Sequence, residues 1–104
     1  MSILTLKDTI EALREYNLEH CRFPHNYYAV HDKSIPVIGG ICSDDKKLIL
    51  IDKDIGMEMT RSVIIHEILH AKHFRLGDLS GRNIERVVEK ETSETYYKLY
   101  GIKI

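Results

Sequence analysis

Five consecutive residues, His66-Glu67-Ile68-Leu69-His70, carry residue types and a spacing suited to metal-assisted hydrolysis. On an α-helix, positions i and i+4 lie one turn apart on the same face, so both imidazoles can present a nitrogen to one ion. Glu67, next to the first histidine, projects near enough to take a proton from a water that the ion activates. A catalytic zinc ion usually has three protein ligands and keeps one position open. The motif therefore predicts His66 and His70 as metal ligands, Glu67 as the catalytic base, and a third ligand further along the chain.

The surrounding residues predict a buried helix. Val63, Ile64, Ile65, Ile68, Leu69, Ala71 and Phe74 are apolar around more than half of its circumference. Uncompensated histidines and a glutamate would be costly in such a helix, and a metal would compensate them. His73 extends the polar stripe and reads as a rim or surface residue. Gly77 is placed to end this helix and Ser80 to cap the next. From about Gly81 to Tyr100, Ile84, Val88, Thr92, Thr95 and Leu99 recur at helical spacing, and the short loop makes the two helices antiparallel neighbours. His70 lies roughly 9 Å before the first helix ends, which places residues in the high eighties opposite it. Glu85, Glu89 and Glu91 are the candidates for the third ligand, with Glu94 a turn further away.

At this point the chain resembles a known family. His66-Glu67-Ile68-Leu69-His70 followed by a glutamate on the next helix is similar to the gluzincin metallopeptidases. Their third ligand commonly opens a pattern of Glu, two variable residues, a small residue, then Asp or Asn. Glu89-Lys90-Glu91-Thr92-Ser93 matches with Glu89 as ligand and Thr92 in the small position, while Ser93 departs from the usual acid or amide. Starting the pattern at Glu91 instead puts Glu94 in the small position. The resemblance runs over about residues 57 to 100, and the length of 104 residues points to the minigluzincins, small single-domain archaeal peptidases. It implies one Zn²⁺ per chain held by His66, His70 and Glu89, an endopeptidase acting on peptide or protein substrate, and a latent form with a terminal segment in the cleft. The apolar tail Tyr100-Gly101-Ile102-Lys103-Ile104 is a candidate for that segment, and Tyr96 or Tyr97 for the group that stabilises the oxyanion.

Length bounds the chain to a single domain over residues 1–104 with one core, which the resemblance makes a minimal catalytic domain. A net charge of −1 gives no electrostatic footprint for nucleic acid or an anionic membrane. Cys21 and Cys42 form no C-x-x-C pair, so a thiolate zinc site is not indicated. With no signal-like start at Met1 to Asp8, and no stretch long enough to span a bilayer, a cytoplasmic protein is expected.

The front half completes the expected architecture. Residues 5 to 20 read as a helix capped by Thr5 or Asp8, with Leu6, Ile10, Leu13 and Leu18 as its apolar stripe. Tyr27 to His31, Pro36 to Cys42 and Lys47 to Asp52 read as strands joined by short loops. The predicted fold class is α+β: an N-terminal helix, a small three-stranded antiparallel sheet, the buried active-site helix and an antiparallel glutamate helix. The strand Leu48 to Asp52 is expected to border the substrate cleft, and an exposed sheet edge or the terminal segment would permit self-association. The competing reading is a zinc-stabilised interaction or regulatory module without catalysis, which would have no use for Glu67 beside its metal.

Overall fold

Thr5 and Asp8 start the first helix together. Thr5 Oγ1 accepts from the Asp8 N–H at 3.1 Å, and the Thr5 N–H donates to Asp8 Oδ2 at 3.4 Å. This capping box satisfies two donors that the first turn would otherwise leave open. The computed structural model describes residues 4–22, 39–77 and 81–101. Within them the elements are α1 (Leu6–Glu15), β1 (Asn17–Cys21), β2 (Gly40–Ser43), β3 (Leu48–Asp52), α2 (Met57–Leu76) and α3 (Gly81–Tyr100).

The α+β class is as expected, but the sheet is mixed rather than antiparallel. Its order is β1-β3-β2. β2 runs antiparallel to β3, from Gly40 opposite Ile51 to Ser43 opposite Leu48. β1 runs parallel to β3, from Asn17 opposite Leu48 to Cys21 opposite Asp52. The parallel strand comes from residues expected to finish the first helix. Helix α1 stops because Tyr16 turns extended, at φ −109° and ψ 136°. The next five residues then find their hydrogen-bond partners on β3, a tertiary pairing that outweighs their weak strand propensity. The expected strand from Tyr27 to His31, residues 36–38 of the next, Ser80 and the tail from Ile102 lie outside the described residues.

The stripe expected to bury α1 faces outward instead: Leu6, Ile10 and Leu13 are all exposed. Ala12 and the capping Tyr16 are buried in their place. The small Ala12 permits a close approach to α2, and ion pairs hold it there: Asp8 to Lys72 at 3.2 Å, and Glu11 and Glu15 to Arg75 at 3.0 and 3.2 Å.

Helix α2 is buried on two sides, as its composition predicts. Ile68 and Ala71 pack with Ala12, Tyr16, Ile49 and Ile51 towards the sheet and α1. Ile65 and Leu69 pack with Val88 and Tyr96 of α3. Gly77 ends α2 in the left-handed conformation, φ 82°, as expected. The helices run antiparallel, with Arg61 over the Tyr100 ring, His66 beside Thr92, and His70 beside Glu85. Leu99 departs from the expected buried face and is exposed.

Two glycines let the sheet approach α2. A Cβ on Gly40 would lie 2.6 Å from Val63 Cγ1, 3.0 Å from Glu67 Cγ and 3.0 Å from the Leu50 carbonyl oxygen. Gly40→Ala should therefore destabilise the fold by about 1–3 kcal/mol through overpacking. Adding Val63→Ala should return part of the loss. Urea unfolding of the single and double variants checks this, and an unchanged midpoint for Gly40→Ala would show that β2 can move away from α2.

Candidate metal centre

His66 and His70 project from the side of α2 that neither cluster covers, and Glu85 reaches them from the start of α3. His66 Nε2 lies 2.8 Å from Glu85 Oε1, His70 Nε2 lies 3.0 Å from Glu85 Oε2, and the two Nε2 atoms are 3.2 Å apart. Among the described residues these three form a group able to hold a metal ion, with ligand atoms all within 4.8 Å of one another. Three ligands about 2.0–2.1 Å from a tetrahedral zinc ion would stand roughly 3.3 Å apart, so the group needs little adjustment.

The protonation pattern suits a cation as well. Thr92 Oγ1 donates its proton to the Val88 carbonyl at 2.7 Å. Towards His66 Nδ1, 3.5 Å away, it can therefore only accept. With an ion bound, that contact favours Nδ1–H and leaves the Nε2 lone pair for the ion. Without one, protons on Nε2 bridge the imidazoles to Glu85, and a cation would take their place while Thr92 holds the ring in the orientation that such a site needs. Hydrogen bonds from His66 and then His70 hold the Glu85 carboxyl well below the usual carboxylate range, so it is a charged ligand group.

Glu67 occupies the opposite electrostatic extreme. It is 6% exposed. Burial pushes its carboxyl up to about 7, with His70 pulling it down and Glu85 pushing it further up. The neighbouring Cys42 thiol is itself pushed up to about 12, by burial first and by Glu67 second, so it is a neutral neighbour. The strand that meets Glu67 is β2, through Gly40, whereas β3, expected to border the cleft, is the central strand.

The structure brings His66 and His70 together with Glu85 in a group that could hold a metal ion, and Glu67 follows His66 on the same helix. Glu89 is exposed and lies outside that group; Glu85, one turn earlier on α3, takes its place. Glu91, the alternative, is 4% exposed and accepts from His73 Nε2 at 2.6 Å. His73 is thereby buried between the helices rather than at a surface rim. Tyr96 is buried against Ile65 and Leu69, while Tyr97 is exposed. The chain alone did not single out Glu85: the pattern begun there reads Glu85-Arg86-Val87-Val88-Glu89, with Val88 in the small position and Glu89 where Asp or Asn is usual.

No family model, curated protein or solved structure matches this chain. Its functional reading therefore stands on its own residues. No helix among the described residues is long and apolar enough to cross a membrane.

Protein prepared with zinc should hold a single ion per chain, measured by elemental analysis after desalting. Glu85→Ala should lower affinity by more than the roughly 10- to 100-fold expected for losing an outer partner such as Thr92. Glu89→Ala should leave affinity unchanged; the reverse order would restore Glu89 as ligand.

A pH series on metal-free protein checks the burial of Glu67. Its carboxyl titrates near 4.5 when unfolded and about 7 when folded. Between those values the native state binds the extra proton, so this group's contribution to stability falls as pH rises. Glu67→Gln removes that dependence. Its stability relative to the parent chain should grow from about pH 4.5 to 7, by on the order of 3 kcal/mol, then level off. Parallel urea curves across that range would refute the assignment.

Proposed function

We propose that this chain is a zinc-dependent endopeptidase of gluzincin type, with His66, His70 and Glu85 as metal ligands and Glu67 as general base. The observation that carries the reading is the convergence of the two imidazoles and Glu85 within 4.8 Å, with a buried glutamate next to the first histidine. When bound, the zinc ion would polarise the scissile carbonyl and lower the pKa of an attacking water towards neutrality.

The chain's own residues supply the rest. Glu67 takes the proton of the attacking water and passes it to the leaving amine. Its ionisation near 7 lets it accept and return a proton close to neutral pH. Thr92 fixes the His66 tautomer. Among the described residues β2 is an outer strand of the sheet. An extended peptide added along β2 would pass Glu67, because Gly40 stands against that side chain.

The test is hydrolysis of unfolded protein and mixed peptides by zinc-loaded chain and its Glu67→Gln variant. Glu67→Gln should keep its zinc and lose about 100- to 10,000-fold in kcat, the usual contribution of a general base. Equal turnover by the variant would remove Glu67 from the mechanism. No hydrolysis by the parent chain, together with unfolding on chelation, would favour the zinc-stabilised interaction module.

A further inference from the structure

The open face of α2 continues past the metal group towards the helix N-terminus. Ser62 stands four residues before His66 and Met59 seven, so both lie on the same side of the helix. At this end a cavity of about 500 Å³ is lined by Ile55, Gly56, Met57, Glu58, Met59 and Ser62. That volume falls within the roughly 300–1,000 Å³ of ligand clefts. Its rim holds two methionines, Met57 at 72% and Met59 at 41% exposure. Methionine is flexible and polarizable, and is overused where a surface must fit varied apolar partners. Nothing lies within 4 Å of where a Gly56 Cβ would stand, so the backbone there is open to a ligand. The cavity also adjoins the strand edge, since Ile55 Cδ1 lies 3.1 Å from a Cβ built on Gly39, next to β2.

Distance relates the cavity to the metal group. With a rise of 1.5 Å per residue, Ser62 and Met59 lie about 6–10 Å along the helix from His66. An extended peptide advances about 3.3 Å per residue, so two or three residues cover that span.

We infer that this cavity is a subsite for an apolar side chain of leucine, methionine or phenylalanine size, carried by an extended peptide two or three residues from the bond that is cut. The position relative to the cut rests on the peptidase reading; the preference for apolar side chains rests on the cavity lining alone. Glu58 at the rim disfavours acidic peptides.

Two experiments separate these dependences. The chain has three methionines, Met1, Met57 and Met59, so methyl-¹³C-methionine labelling gives signals of which two report on the cavity. Titration with N-acetyl-leucinamide should shift the Met57 and Met59 signals saturably. N-acetyl-alaninamide should bind roughly tenfold or more weakly, as lost methylenes demand. Met59→Glu should abolish the leucinamide response without altering zinc content. No shift with leucinamide, or equal shifts with alaninamide, overturns the subsite. Cleavage sites in a mixed peptide library then test position: apolar residues should be enriched two or three residues from the cut, and an even distribution there overturns the placement. If the zinc-loaded chain cleaves nothing, the peptidase reading fails, and the methionine titration still decides the cavity.

Discussion

The register of α2 against α3 is the constraint on which the site depends. It is set by apolar contacts: Leu69 and Val88 are fully buried, and Tyr96 and Ile65 nearly so. A slip of one turn, about 5.4 Å, would bring Glu89 to the two imidazoles in place of Glu85. The same slip would part His73 from Glu91, a pair buried between the helices. Leaving buried polar groups without their hydrogen bond costs about 1–3 kcal/mol each, so polar and apolar contacts enforce one register together. The metal group inherits its geometry from packing that itself touches no metal.

The short-range part of this design was legible in the chain. His66, Glu67 and His70 follow from the pitch of a single helix, the Thr5–Asp8 cap from two side chains three residues apart, and the end of α2 from Gly77. The third member of the metal group was not, because the offset between two helices belongs to neither helix alone. Composition along α3 offered three glutamates, and only the burial of Val88 and Tyr96 selects among them. The sheet departs from its expected antiparallel order for a related reason. Asn17 to Cys21 has little strand character, and only β3, distant in the chain, makes it a strand. In α1 the apolar stripe was real, but Ala12 and the ion pairs to Lys72 and Arg75 turned the other face inward.

The two carboxylates nearest the imidazoles are driven apart electrostatically. Glu85 is half exposed and held ionised by two imidazoles; Glu67 is buried beside a neutral thiol and resists ionisation. Such divergence lets one carboxylate stay charged while its neighbour trades a proton. The two also depend on different parts of the molecule. Glu85 is placed by α3, whereas Glu67 is seated by the glycine-lined start of β2. The His66, His70 and Glu85 cluster and the buried Glu67 therefore rest on separate parts of this fold.

The parallel pairing of β1 with β3 is the non-local closure of the sheet. His66 and Glu85 are only 19 residues apart and belong to neighbouring helices. The sheet, by contrast, must bring β1 across the chain to a strand that follows β2, and such non-local closures form slowly. Contact order thus favours the helix pair that carries the His66, His70 and Glu85 cluster assembling before β1 closes on β3. The cluster can form on an incomplete sheet, because none of its three residues stands on a strand.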